Sequence, residues 1–304
     1  FDFDREEDAF TRRAREVCEK RFDTAEAALA AAVRRAGTAP GFDETHINFS
    51  VARRIAGELG LAALTEAGGI FRQARRIKHP REISALQESA RVAEEALLEA
   101  IEGARPGITE QDLETRYRLA VTRRGAVPYF FVATAAHRAA FVDAHNTRLQ
   151  IRAGDMVRFD FGCILNGFYS DLARTMVIGE PDEETRRCYD AVAAGAEAQF
   201  AALRPGVRAE ELFRAAVEGT RAAGLPHYAR SHCGHGIGLE GYDLPSLAEG
   251  FDMVIEKDMV LCLETPYYRV GWGGVQIEHT VAVTEDGFIF LDSGDNSLIV
   301  VPIS

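Results

Sequence analysis

The sequence predicts an α+β fold of two similar halves that share one curved sheet covered by helices. Three observations carry that reading. The segment Arg105-Pro-Gly-Ile-Thr-Glu-Gln-Asp-Leu113 recurs as Arg204-Pro-Gly-Val-Arg-Ala-Glu-Glu-Leu212, and Gly125 and Gly224 keep the same spacing behind it. In each copy a long helical stretch (81–103, then 182–203) precedes Pro-Gly, a second helix follows, and strand formers come next. A repeated helix–helix–strand unit points to two pseudo-symmetric halves. The third observation is Asn166-Gly167, set within a strand-rich run from Met156 to Ile178. This dipeptide is a strong signal for a two-residue hairpin turn, because both turn positions need positive φ.

If the turn closes there, Leu165 pairs with Phe168, Gly162 with Asp171 and Asp160 with Ala173. Side chains alternate along a strand, so Asp160 and Asp171 project from one face as diagonal neighbours. Two carboxylates so placed repel each other unless a cation sits between them.

Three further residues extend this pair. His235 lies in Ser231-His-Cys-Gly-His235-Gly-Ile-Gly, where glycines leave the imidazole exposed. Glu264 ends the apolar run Met259-Val-Leu-Cys-Leu, and Glu278 sits in Val275-Gln-Ile-Glu278-His-Thr-Val-Ala-Val, so both place a carboxylate in a strand. Singly, each has a plainer reading: a structural histidine, a solvated strand-end glutamate, a surface hairpin. Together they read as a two-metal site, with the metals between the two halves. The ligand set suits Mn²⁺, Co²⁺, Fe²⁺ or Zn²⁺ without identifying one; Mn²⁺ is the expectation, with the others as alternatives.

Residues 1–74 read as a separate, smaller N-terminal domain and 75–304 as the main one. Helices are expected over Glu6–Lys20, Thr24–Arg35 and Phe42–Leu59, with the alanine-rich run at 26–32 reflecting helical propensity. A chain of 304 residues, 47% of them hydrophobic, buries a large core. Its net charge of −12 argues against a nucleic-acid surface. No apolar run approaches the ~20 residues that span a bilayer. Five cysteines without a CxxC pair fit reduced thiols, hence a cytoplasmic setting. No signal peptide is read, and the start at Phe1 rather than Met leaves room for a leading segment. Gly236-Ile-Gly-Leu-Glu-Gly241 satisfies G-x-G-x-x-G literally, but Tyr-Asp-Leu-Pro245 behind it does not open a helix, so dinucleotide binding is rejected.

The chain resembles the creatinase/methionine aminopeptidase ("pita-bread", M24) family, and within it the aminopeptidase P and Xaa-Pro dipeptidase (prolidase) branch. The resemblance spans roughly 75–300. It rests on Gly154-Asp155-Met-Val-Arg-Phe-Asp160-Phe-Gly, Gly167-Phe-Tyr-Ser-Asp171-Leu-Ala-Arg-Thr, Gly234-His235-Gly-Ile-Gly-Leu, Glu264-Thr-Pro-Tyr-Tyr and Gln276-Ile-Glu278-His-Thr. It implies the pita-bread fold, with a curved antiparallel sheet, and Asp160, Asp171, His235, Glu264 and Glu278 as ligands of two divalent metal ions. Asp171 and Glu278 would bridge them, Asp160 would complete one shell, and His235 and Glu264 the other. It further implies amide hydrolysis through a metal-bridging hydroxide, with Glu264 as proton shuttle, and a homodimer. The N-terminal stretch is short for the family's fuller α/β domain. Thr280 is expected to orient Glu278.

Substrate selection departs from the pattern. Proline-specific relatives carry a histidine seven residues after the ligand histidine; here that position is Tyr242, followed by the retained Asp243. A phenol donates a hydrogen bond but carries no positive charge at neutral pH. His145 stands where the family's other substrate histidine is expected. Tyr267, Tyr268 and Trp272 are candidates for the pocket wall, and His232 for its edge. The resulting expectation is an Xaa-Pro dipeptidase or aminopeptidase acting on small peptides. The alternative is a C–N hydrolase or lyase acting on a small molecule.

Overall fold

The computed structural model describes residues 41–303, apart from 44 and 63, together with positions 27, 30, 31, 33 and 34. The chain divides into two compact units, 1–74 and 75–304.

In the first unit β1 (Gly41–Phe42), α1 (Phe49–Leu59) and β2 (Thr65–Glu66) follow one another, β1 and β2 pair in parallel, and α2 (Gly68–Arg76) begins there and ends past the boundary. The helix expected over 42–59 is corrected here: it begins at Phe49. Two local hydrogen bonds stop it earlier. Asp43 accepts the amide of Thr45 at 3.1 Å, forming a turn, and extended Asn48 caps α1 by accepting the amide of Ser50 at 2.9 Å. The helix expected over 6–20 lies outside the described residues. Of the one over 24–35, only positions 27, 30, 31, 33 and 34 are described, as helix.

The second unit opens with α3 (Pro80–Ile101), α4 (Glu110–Arg123), β3 (Val127–Ala135), β4 (Met156–Leu165), β5 (Phe168–Tyr169) and β6 (Leu172–Ile178). It continues with α5 (Glu183–Ala202), α6 (Ala209–Ala222), β7 (Gly234–Gly236), β8 (Asp243–Ser246) and β9 (Val260–Glu264). After these come β10 (Tyr267–Arg269), β11 (Gly273–Val275), β12 (Glu278–Val283), β13 (Phe288–Phe290) and β14 (Ile299–Val301).

The ten-stranded sheet runs β3-β4-β6-β12-β9-β7-β8, with β5, β13 and β14 attached to β4, β12 and β6. It is antiparallel throughout except where β14 joins β6. The two halves meet at β6 and β12. The Pro-Gly repeat has a structural counterpart. Gly107 and Ile151 exchange main-chain bonds (Gly107 N to Ile151 O, Ile151 N to Ile108 O, both 2.8 Å), and Gly206 and Ile255 do the same with Val207. The acidic residue shared by the two copies caps the following helix: Asp112 accepts the Thr109 amide at 3.0 Å and Glu211 that of Arg208 at 2.8 Å.

Asn166 and Gly167 turn with φ of 53° and 87°, and the hairpin closes as expected, Leu165 opposite Phe168 and Asp160 opposite Ala173. Phe159 and Phe161 join the core formed with α3 and α4, and alternation therefore turns Asp160 to the other face. Leu261 and Leu263 of β9 pack in the second core, with residues of α5 and α6, which turns Glu264 the same way.

The hairpin register depends on close backbone contact at Gly162, where an added Cβ would lie 2.0 Å from the Ser170 carbonyl oxygen. Gly162→Ala should therefore cost about 1–3 kcal/mol in overpacking. Denaturant melting checks this, and a midpoint equal to that of the unmodified protein would contradict the register argument.

Candidate metal centre

The pairing of four strands sets Asp160, Ala173, Glu278 and Glu264 in one row: Asp160 opposes Ala173, Ala173 opposes Glu278, and Glu278 opposes Glu264. Asp171 stands two residues before Ala173, hence on the same face. His235, in the middle of β7, opposes Cys262, two residues before Glu264. Each half thus delivers its residues to the junction of β6 and β12.

The side chains converge as the strands do. Single carboxylate oxygens of Asp160, Asp171 and Glu278 lie within 4.8 Å of one another. His235 Nε2 lies 3.6 Å from Asp171 Oδ2 and 3.9 Å from Glu278 Oε1. Its Nδ1 is 2.9 Å from the Gly236 carbonyl, which holds the proton on Nδ1 and leaves Nε2 its lone pair. Glu264 is the cross-strand neighbour of Glu278; its Oε1 is 2.9 Å from His232 Nε2, and its Oε2 3.8 Å from Arg230. Asp171, His235, Glu264 and Glu278 are buried, which corrects the exposed imidazole expected at His235: Tyr242 stacks over its ring. With Asp160, the three buried carboxylates border a cavity of ≈ 550 Å³.

Crowding and burial work against ionisation at three of the four carboxylates. Asp160 is pushed up to about 6 by burial, opposed by the Arg158 guanidinium and reinforced by Glu264. Asp171 rises well above the ordinary range through burial and the charges of Asp160 and Glu264, and Glu278 through burial and Asp171. For Glu264 burial works upward, but the hydrogen bond and charge of His232 and the charge of Arg230 outweigh it and hold the carboxyl below its usual value. Burial pushes the His235 imidazole down, towards the neutral form that ligates metals. Three converging carboxylates, a fourth on the neighbouring strand and an imidazole nitrogen with its lone pair available fit divalent cations, which would remove the repulsion.

Three charged or polar neighbours were not singled out in the sequence. Arg158 is fully buried. It donates to Gln276 Oε1 at 2.9 Å, to the carbonyls of Phe141 and Val142 at 3.0 and 2.7 Å, and lies 3.4 Å from Asp160. Gln276 donates to Asp160 at 3.2 Å. Each stands two residues before a candidate ligand, Arg158 on the same face of β4 and Gln276 in the short link between β11 and β12, a spacing that could have found them. Arg230 has no comparable sequence signal.

The expected substrate residues reach the cavity by different routes. Tyr242 is largely exposed and stacks on the His235 ring, centroids 3.8 Å apart and planes 21° apart. His145 lines the same cavity from an exposed segment held by Arg138, which donates to its carbonyl at 2.6 Å. Tyr268 lines it too, whereas Tyr267 and Trp272 pack against the second core. Thr280 acts differently from expectation: its hydroxyl donates to the Asp171 carbonyl at 3.0 Å, so it steadies Asp171 and not Glu278. The G-x-G-x-x-G stretch runs from β7 into β8 without a helix.

Residues 84–285 match the model of metallopeptidase family M24. Over 241 residues the chain is 34% identical to the probable dipeptidase PepE of Mycobacterium tuberculosis, which covers 78% of this chain and 64% of PepE. The chain thus spans a little under two-thirds of that relative. Over 258 residues it is 28% identical to the Xaa-Pro dipeptidase of Pyrococcus furiosus, covering 84% of this chain and 74% of the other. Among solved structures, the Xaa-Pro dipeptidase from Bacillus anthracis superposes with a TM-score of 0.85 at 26% identity, covering 91% of this chain and 78% of that one. The fold is the pita-bread fold that the resemblance implied.

The raised carboxyl groups give the metal-free protein a definite pH dependence. A raised folded pKa stabilises the protein below the unfolded value near ~4. That stabilisation is lost as pH rises through about 6 for Asp160, and higher for Asp171 and Glu278. Melting temperatures of chelator-treated protein should fall from about pH 5 to about pH 8, less steeply in Asp171→Asn. Added Mn²⁺ should raise the unmodified protein's melting temperature most at the upper end. A chelator-treated melting temperature that climbs across this range, unaffected by Asp171→Asn, would contradict the assignment.

Proposed function

Because the chain belongs to metallopeptidase family M24, we propose that it hydrolyses the amide bond of small Xaa-Pro peptides, as a dipeptidase or an aminopeptidase. The observation that carries this reading is the convergence of Asp160, Asp171 and Glu278 oxygens, beside His235 and Glu264, with the four carboxylates lining a ≈ 550 Å³ cavity. Such a cavity suits a small substrate. Asp160, Asp171, His235, Glu264 and Glu278 would hold two divalent cations, Mn²⁺ foremost, which when bound supply Lewis acidity for the scissile carbonyl and the attacking water.

The chain's own residues supply the rest. Glu264 stays ionised through His232 and Arg230, so it is ready to take a proton from the attacking water and pass it to the leaving nitrogen. His232, 2.9 Å from Glu264 Oε1, orients that carboxylate. Tyr242 presents its phenol at the cavity beside His235 and can donate a hydrogen bond to a substrate carbonyl or carboxylate. His145 stands at the cavity edge as a second contact for the substrate.

Tyr242 also favours a second reading, a C–N hydrolase or lyase acting on a small molecule. The phenol offers no cationic partner for a peptide carboxylate. In either case residues 75–304 form the catalytic domain and residues 1–74 a smaller one. We also propose a cytoplasmic homodimer: the cytoplasmic part is supported by the four described cysteines, all free and buried, and the homodimer by the family resemblance.

Release of proline from a panel of Xaa-Pro di- and tripeptides by Mn²⁺-loaded protein tests the first reading. Turnover should depend on metal and fall by about 10²-fold or more in Asp171→Asn. Tyr242→His should raise activity on proline peptides. Metal-loaded protein that releases no proline from any peptide would move the assignment to the small-molecule reading.

A further inference from the structure

Cys262 has no part in the chemistry above, yet it sits against the centre. It is fully buried on β9, directly opposite His235 on β7 and Thr280 on β12. Alternation along β9 sends its side chain to the same face as Glu264. Its sulfur is 3.6 Å from the Thr280 hydroxyl and 3.7 Å from the Asp171 carbonyl. Most tellingly, one ligand atom each from Cys262, His235 and Glu278 lies within 4.8 Å of the other two. Among the described residues, no other cysteine is grouped in this way with a histidine and a carboxylate.

We propose that Cys262 is a metal ligand of this chain, forming with His235 and Glu278 a sulfur–nitrogen–oxygen site for thiophilic divalent cations such as Co²⁺, Zn²⁺ or Cd²⁺. The inference rests on the reading of the neighbouring carboxylates as a metal centre. Thiolate, imidazole and carboxylate are the three protein ligand types of zinc-like ions. Around one tetrahedral ion their ligand atoms stand about 3.5 Å apart, so closing the site takes side-chain shifts of roughly 1 Å. Binding releases the thiol proton to solvent and leaves a sulfur–metal bond. An oxygen-rich centre alone discriminates little among Mn²⁺, Co²⁺ and Zn²⁺, whereas a thiolate within reach tips the choice towards the softer ions. Cys262 thereby becomes a selectivity residue for the metal position beside His235.

Titration of reduced, metal-free protein with Co²⁺ tests this without relying on activity. The unmodified protein should show both visible ligand-field bands and a near-ultraviolet sulfur-to-cobalt charge-transfer band. Cys262→Ser and Cys262→Ala should keep the first and lose the second. Competition should show the preference for Zn²⁺ over Mn²⁺ falling about 10-fold or more in Cys262→Ser. Ligand-field bands without charge transfer in the unmodified protein would overturn the role of Cys262 and leave the carboxylate centre standing. Charge transfer that survives both substitutions would assign the sulfur to another cysteine. Absence of any Co²⁺ spectrum would remove both the thiol ligand and the metal centre.

Discussion

Mutual repulsion among Asp160, Asp171 and Glu278, gathered at the meeting of β6 and β12, is the constraint on which the rest of the structure depends. Three carboxyl groups pushed well up in pKa are a liability in a folded protein. The chain's own cations offset this only in part. Arg158 and Gln276 reach Asp160, Arg230 and His232 reach Glu264, and Asp171 and Glu278 face His235 Nε2. This leaves a concentrated negative site open to a cavity, the arrangement divalent cations relieve.

The sheet is what makes that concentration possible. A row of cross-strand partners carries Asp160, Glu278 and Glu264 to one line, and the alternation that buries Phe159, Leu261 and Leu263 against helices turns the acids the other way. The two halves contribute through equivalent elements: a helix pair, a Pro-Gly turn bonded to a later isoleucine, and inner strands that meet as β6 and β12. Neither half holds the full ligand set, so the candidate site depends on their pairing. Arg158 adds a link between the site and the cavity wall, since it binds Asp160 and the carbonyls of Phe141 and Val142 together.

Much of this was legible in the sequence because it is local. Asn166-Gly167 dictates a turn whose register places Asp160 opposite Ala173, and the Pro-Gly repeat marks the halves. The start of α1 was misplaced because Asp43 and Asn48 compete for backbone amides through their side chains, which apolar periodicity does not register. The role of Thr280 was assigned to the wrong partner because its hydroxyl crosses to β6 and the contact depends on sheet pairing. Arg158 carried a same-face signal in its spacing on β4, and Gln276 a matching two-residue spacing ahead of β12. Arg230 carried none, since its proximity to Glu264 arises from the loop before β7.

Tyr242 and Cys262 give the centre its individual character. One lays a phenol over the His235 ring at the cavity, and the other stands opposite the same histidine on the neighbouring strand, with its sulfur in the same cluster. Both stand beside His235, so in the proposed reading substrate preference and metal preference would converge on one imidazole. The most direct test of the whole account is the metal stoichiometry of purified, Mn²⁺-equilibrated protein, measured by elemental analysis after dialysis. The account predicts two tightly held ions per chain, and a loss of both on combined Asp171→Asn and Glu278→Gln substitution. A protein that retains no divalent metal, or retains it undiminished in the double variant, would contradict it.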